Sequence, residues 1–160
     1  MVETKEPETG CCPRFDPEPW DGKMVTWENK LFVKDHILSI FHIPLNIDKV
    51  MVKNSDMIRG AGASDPDNIG LFDENSLFGT DLYIAVTKEL PGAKMERISG
   101  TFLMKAFEGD YKSMGTWIRE MHAFVKSKGK KMKKLYFWYT TCPACAKYYG
   151  KNYVVLVAQV

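Results

Sequence analysis

The feature that most constrains the fold is a strand, helix, strand, strand pattern in the C-terminal half of the chain. Residues 101–108 predict a strand that places Phe102, Met104 and Ala106 on one face. Apolar residues then recur at helical spacing after Ser113, namely Met114, Trp117, Ile118, Met121 and Val125. Gly129 is placed to end this helix. Residues 135–141 and 153–160 are rich in aromatic and β-branched residues, so both predict strands.

The same order of elements is predicted upstream. Residues 36–43 read as a strand, Asn46 is placed to cap a helix that ends near Gly60, and two strands follow at 71–73 and 82–87. Because the order repeats, we expect two repeats at about 36–90 and 100–160, related by a pseudo-twofold axis. The predicted fold class is α+β, with a curved, mostly antiparallel sheet, helices on one side and a ligand cleft on the other.

Residues 1–35 are predicted to be an irregular N-terminal lead-in that packs on a single domain of residues 36–160. Four prolines in the first 22 residues disfavour regular structure. Phe15, Trp20 and Trp27 are large apolar groups, so the segment is expected to lie against the domain.

Composition excludes several classes of protein. The 160 residues are 45% hydrophobic and 26% charged, as in a soluble globular domain. The net charge of +2 does not favour a nucleic-acid partner. No apolar run approaches the roughly 18 residues needed to cross a bilayer, and the N-terminus lacks an apolar signal region. We therefore expect a cytoplasmic protein without a membrane partner; the sequence does not indicate its oligomeric state.

The segment Phe107-Glu108-Gly109-Asp110-Tyr111, followed by a Trp-bearing helix and two strands, resembles the GyrI-like small-molecule-binding family. Residues 139–147, Tyr-Thr-Thr-Cys-Pro-Ala-Cys-Ala-Lys, resemble its stand-alone members, which lack a DNA-binding domain and are often described as hydrolases. The resemblance implies two repeats around a cleft that binds aromatic, often cationic, compounds. Some members hydrolyse strained cyclopropane-containing compounds. Regulator-type members often carry a carboxylate just before the last strand, where this chain has Asn152.

Glu108 and Tyr111 are the candidate catalytic residues. Glu108 follows a strand and precedes a glycine turn, where it could serve as a general base or bind a cation. In this role it would lie beside aromatic rings and face the cleft. The alternative is a solvated carboxylate at a strand end. Asp81, before the matching strand of the first repeat, is a second candidate.

The candidate ligand-binding residues are mostly aromatic: Tyr83, Glu108, Tyr111, Trp117, Phe137, Tyr139 and Asn152. Phe137 and Tyr139 alternate along one strand and share a sheet face that would suit a planar ligand. Trp138 is expected on the other face, against the helix. The alternative is that Trp117 and Phe137 simply fill the core.

Cys142 and Cys145 have the C-x-x-C spacing of zinc sites and redox dithiols. The adjacent pair Cys11 and Cys12 could complete a four-thiolate zinc site, and the alternative is four reduced, buried thiols. A redox role is disfavoured because the pair is expected in a turn between strands, without a helix N-terminus to stabilise a thiolate. No cofactor is otherwise required.

Three functions therefore stay open. The first is binding of a small, largely apolar or aromatic molecule in the cleft, for sequestration or sensing. The second is hydrolysis of a strained or electrophilic molecule in the same cleft. The third is a metal or redox module centred on the cysteines.

Overall fold

The computed structural model describes residues 15–40, 43–76, 78–140 and 143–160. The strands are β1 (Met24–Ile40), β2 (Ile43–Pro44), β3 (Gly70–Ser76), β4 (Gly79–Ala85), β5 (Met95–Glu108), β6 (Lys134–Tyr139) and β7 (Tyr153–Gln159). The helices are α1 (Ile47–Gly60), α2 (Met114–Ser127) and α3 (Pro143–Tyr149), with a 3₁₀ turn at Tyr111–Ser113. The fold is α+β, as predicted. Within the described part of the chain, no helix has the length and apolar character that crossing a membrane requires.

The chain divides into two compact units. One comprises Trp27–Ser99, and the other comprises Gly100–Val160 with the residues up to Thr26. We call them the first and second unit in the order of their repeats. The predicted division into a packed N-terminal segment of residues 1–35 and a domain of residues 36–160, and the pseudo-twofold axis, stay predictions.

Each unit contains the predicted strand, helix, strand, strand order. In the first unit β1 pairs with β4 and β4 pairs with β3, all antiparallel. In the second unit β5 pairs with β7 and β7 pairs with β6, again antiparallel. Strand pairing within the two units thus follows the same order, although the sequences of the repeats differ.

The first strand is much longer than the sequence predicts. β1 begins at Met24, so residues 24–35 are strand and not irregular lead-in. Its first part alternates exposed and half-buried positions and contains Asn29 at a φ of 51°, which breaks the apolar pattern that a strand prediction relies on.

Both principal helices lie where predicted, but neither has a side-chain N-cap. The Oδ1 atom of Asn46 instead accepts a hydrogen bond from the backbone N–H of Leu38 at 2.8 Å. On α2 the buried residues are Trp117, Met121 and Val125, the stripe that the spacing predicts. A separate core in the first unit joins the residues Val33, Ile58, Ala63, Val86 and Leu90.

The described part of the Cys-Pro-Ala-Cys segment, residues 143–145, is helical. α3 begins at Pro143, so a short helix lies between β6 and β7. The sequence-based argument against a redox role, which relied on the lack of a helix, is therefore wrong.

Candidate functional site

A cluster of aromatic rings lies on one side of the β5–β7–β6 sheet. The ring centroid of Trp138 is 5.1 Å from that of Trp20 and 5.4 Å from that of Phe15, and both contacts are edge-to-face. The ring of Phe15 also lies 5.8 Å from that of Tyr153. We call Phe15, Trp20, Trp138 and Tyr153 the aromatic face. Edge-to-face contacts at these distances are the favourable geometry for aromatic pairs.

Exposure differs across this aromatic face. Trp138 is buried, with 2% of its surface exposed, and forms its floor. Phe15, Trp20 and Tyr153 are each half-buried. The outer rings therefore offer apolar surface that a further planar group can contact.

Backbone hydrogen bonds hold the segment that carries Phe15 and Trp20. The N–H groups of Trp20 and Asp21 both donate to the carbonyl of Pro17, which forms a tight turn. The Gly22 N–H donates to Met104 O at 2.9 Å. One carboxylate oxygen of Asp21 accepts from the Ala106 N–H at 3.1 Å. This segment is thus tied to β5, which places the two rings on the sheet.

Glu108 lies at the edge of the aromatic face. It is the last residue of β5 and pairs with Tyr153 of β7, so both side chains are on the same side of the sheet. Glu108 is exposed to solvent, as in the alternative of a solvated carboxylate at a strand end. A solvated carboxylate beside half-buried rings can attract a cation to an aromatic surface.

The turn after Glu108 is fixed by Asn152. The Asn152 Nδ2 donates to Gly109 O at 2.8 Å, and the Gly109 N–H donates to Asn152 O at 3.0 Å. Gly109 has a φ of 139°, a conformation that favours glycine. Asn152, predicted as a ligand contact, is therefore seen here holding the position of Glu108.

Three rings predicted to bind ligand, those of Trp117, Phe137 and Tyr139, lie on the side of the sheet opposite the aromatic face. Both Phe107 and Tyr139 pair with Val154, so they share a side. The ring of Phe107 stacks on Trp117 of α2 at 5.7 Å, which shows that α2 covers this side. Phe137 lies on the same side and stacks with Tyr139 at 6.5 Å.

The predicted assignment of the two faces is therefore reversed. Trp138 was expected against the helix, but it contacts Phe15 and Trp20 instead. Trp117 and Phe137 are 5% and 7% exposed, as core residues would be. Glu108 does not share a sheet face with Phe137 or Tyr139.

The remaining candidates are placed as follows. Tyr83 belongs to the first unit, where the Nζ of Lys34 lies 5.5 Å from its ring centroid and Phe32 contacts it edge-to-face at 6.5 Å. The backbone of Tyr111 begins the 3₁₀ turn directly after the Glu108 strand. Its side chain lies outside the described part of the structure, so its role stays a prediction.

The metal prediction falls largely outside the described residues. Cys11, Cys12 and Cys142 are not among them, and the side chain of Cys145 is not described. Elsewhere in the described ranges, no group of three or more His, Cys, Asp or Glu residues is arranged to hold a metal ion. The four-thiolate zinc site stays a prediction.

The first unit contains a polar pocket that sequence reasoning missed. Its volume is about 330 Å³. Its wall combines apolar surface from Val33, Met57 and Ala93 with the polar and charged residues Lys34, Asp35, His36, Lys53, Asn54, Asp81 and Lys94. The Nδ1 atom of His36 is 2.9 Å from Oδ1 of Asp81. Asp81 was a candidate, but its histidine partner is 45 residues away and is found only through the β1–β4 register.

Asp35 is the most heavily hydrogen-bonded group of this pocket. Its Oδ1 accepts from the His36 backbone N–H at 2.8 Å, and its Oδ2 accepts from Asn54 Nδ2 at 2.8 Å. Lys53 Nζ is 3.4 Å from the same Oδ2. Partial burial raises the pKa of Asp35, but these hydrogen bonds and the Lys53 charge outweigh it and hold the pKa below its usual value.

Comparison with known protein families identifies the family of this chain. The family model named bacterial hydrolase matches residues 2–160, which is nearly the whole chain. The chain belongs to the bacterial hydrolase family. No curated protein matches this bacterial hydrolase family member.

A solved structure shares its fold. "The structure of SAV2435 bound to TETRAPHENYLPHOSPHONIUM" matches this bacterial hydrolase family member with a TM-score of 0.52 and 12% sequence identity. The match covers 86% of this chain and 92% of the other. The two chains therefore share a fold over most of their length.

Proposed function

We propose that the protein binds a small, largely apolar or aromatic molecule on the aromatic face, for sequestration or sensing. The observation that carries this proposal is the set of half-buried rings of Phe15, Trp20 and Tyr153 beside the exposed carboxylate of Glu108. Apolar surface with a few placed polar groups is how proteins usually hold small molecules.

Charge and ring geometry suggest which ligands to test first. A cation beside an aromatic ring is attracted by about 0.5–2 kcal/mol, depending on its exposure to water. Glu108 would add a Coulombic attraction to any cation bound next to Tyr153. The solved structure of similar fold contains tetraphenylphosphonium. An aromatic cation is therefore the preferred first ligand.

The test is a titration of the purified chain with tetraphenylphosphonium and with the neutral compound triphenylphosphine oxide, followed by tryptophan fluorescence. We expect saturable binding of the cation, and weaker binding of the neutral compound. Glu108→Gln should weaken binding of the cation and leave binding of the neutral compound unchanged. Glu120→Gln, an exposed glutamate on α2, is the matched control. If neither compound binds, or if the control weakens binding as much as Glu108→Gln, the proposal is wrong.

Hydrolysis of a strained or electrophilic small molecule is the second candidate, and the family of the chain favours it. Glu108 would accept a proton from an attacking water, or donate one to an opening ring, with Tyr111 orienting the substrate. Incubation with cyclopropane- and ester-containing electrophiles, followed by mass spectrometry, distinguishes turnover from binding. If substrates disappear no faster with the wild type than with Glu108→Gln, hydrolysis by this residue is excluded.

A further inference from the structure

The polar pocket of the first unit has features of a second binding site, separate from the aromatic face. The pocket begins where the edge of β1 loses its backbone partner. The Lys34 N–H donates to Lys94 O at 2.8 Å, whereas the next two N–H groups along this edge bond to side chains. His36 N–H donates to Asp35 Oδ1, and Leu38 N–H donates to Asn46 Oδ1. The strand edge is thus closed by polar side chains next to the cavity.

Asn54 is a buried pocket residue with an unused acceptor. Only 1% of its surface is exposed. Its Nδ2 donates at 2.8 Å to Asp35 Oδ2 and at 2.8 Å to Val50 O. Since both partners are acceptors, the amide nitrogen must lie at this position, which fixes the side-chain orientation.

The Oδ1 of Asn54 consequently has no hydrogen-bond partner within the described ranges. A buried acceptor without a donor is costly, and such groups are rare in folded proteins. A ligand that brings an O–H or N–H group into the pocket would satisfy it.

The charges of the pocket favour an anion. Lys34, Lys53 and Lys94 line it, against the carboxylates of Asp35 and Asp81. Asp35 is already occupied by three donors, so it is not free to bind a further cation. Lys53 is 70% exposed at its side chain, and its contact with Asp35 is a long one at 3.4 Å. Lys94 is exposed and, among the residues described, makes no ion pair.

We propose that this pocket binds a small anion that carries a hydroxyl group. The hydroxyl donates to Asn54 Oδ1, and the anionic group is held by Lys53 and Lys94. The volume of about 330 Å³ admits a molecule of the size of a hydroxydicarboxylate or a phosphorylated polyol. The shared chemistry is one anionic group and one hydroxyl donor, which distinguishes this ligand from the apolar molecule proposed for the aromatic face.

The test compares three probes by isothermal titration calorimetry with the full chain: L-malate, succinate and glycerol 3-phosphate. Succinate has the carboxylates of malate but lacks its hydroxyl. We expect malate to bind at least about tenfold more tightly, because succinate leaves the buried acceptor unpaired. Tighter binding of glycerol 3-phosphate than of malate would support the proposal and assign the anion as a phosphate.

Two variants test the residues. Lys94→Gln should lower the affinity for the bound probe severalfold. Lys49→Gln, an exposed position on α1 outside the pocket, should leave this affinity unchanged. Asn54→Ala should remove the preference for malate over succinate, and circular dichroism must show that this variant is folded. If the Asn54 variant does not fold, the comparison of malate and succinate on the wild type decides.

The proposal is overturned if none of the probes binds at millimolar concentration, or if malate and succinate bind equally. Equal weakening by Lys94→Gln and Lys49→Gln would also overturn it. Binding of tetraphenylphosphonium is measured on the same samples, so failure at this pocket is distinguishable from failure at the aromatic face.

Discussion

The Nδ1 atom of His36 on β1 lies 2.9 Å from the Oδ1 atom of Asp81 on β4, and the other edge of the imidazole lies directly against Gly79. A side chain at position 79 would collide with Nε2 and Cε1 of this ring. The pairing of His36 with Asp81 therefore depends on a glycine two residues earlier in β4.

Gly79→Ala should displace the His36 ring from Asp81 and destabilise the protein by about 0–1 kcal/mol, because the half-exposed ring can move away from the added methyl group but loses its contact with the carboxylate. Urea denaturation measures the free energy of unfolding. Gly70→Ala is the matched control: Gly70 is also in a strand of this sheet, and nothing lies within 4 Å of an added Cβ. Equal losses of stability in the two variants would show that the His36 contact is not the cause.

Asp35 should make stability fall on acidification. Its pKa is below the usual 3.8 in the folded protein, so its contribution is present above the unfolded pKa and is lost as pH falls through the folded value. Asp35→Asn should remove this part of the pH dependence below about pH 4. Unfolding midpoints measured between neutral pH and the acid range test it; an unchanged acid slope in the variant would contradict it.

Asp67 should behave with the opposite sign. Burial, and then the charge of Asp65, raise the pKa of Asp67, against a smaller opposing effect of Lys30. The folded protein therefore binds this proton more tightly than the unfolded chain, and stability falls as pH rises through the interval above 3.8. Asp67→Asn should stabilise the protein slightly at neutral pH and have no effect in acid. A loss of stability at neutral pH would contradict the assignment.

Trp20 and Trp138 should be energetically coupled. Their edge-to-face contact at 5.1 Å predicts a coupling of about 0.5–1.5 kcal/mol in a double-mutant cycle of Trp20→Ala and Trp138→Leu. The cycle is measured from the unfolding free energies of the four proteins. Effects that add to within about 0.3 kcal/mol would mean that the contact contributes nothing beyond the burial of each ring.

Asn152→Ala should destabilise the protein by about 1 kcal/mol, because it removes the hydrogen bond to Gly109 O. It should also weaken binding of any ligand that contacts Glu108, since the turn after Glu108 would lose this hydrogen bond. Lys151→Ala, at the adjacent exposed position, is the control. Weakened ligand binding in the control alone would contradict this role for Asn152.

The sequence predicts the elements of this protein better than their pairing. The stripe of Trp117, Met121 and Val125 identifies α2 because a helix period is local information. Alternation along β6 separates Phe137 from Trp138, but it does not say which side the helix covers. Which face α2 covers depends on how β5 and β7 align beside β6. The sequence analysis assigned α2 to the wrong face.

The candidate sites were predicted less well for the same reason. Glu108 was identified because it follows a predicted strand and precedes a glycine turn. The contact between His36 and Asp81, and the buried Asn54, depend on strand register and helix packing. In the sequence, Asn54 is a polar residue within the apolar stripe of α1. Such a residue indicates a break in the helix pattern and does not by itself indicate a binding site.

The rings of Phe15 and Trp20 come from residues that precede the first strand, yet they cover the floor of the aromatic face. A shortened protein that starts at Met24, where regular structure begins, would leave the indole of Trp138 open to water. Such a protein would expose an apolar patch that promotes self-association, and this association would be mistaken for native oligomerisation.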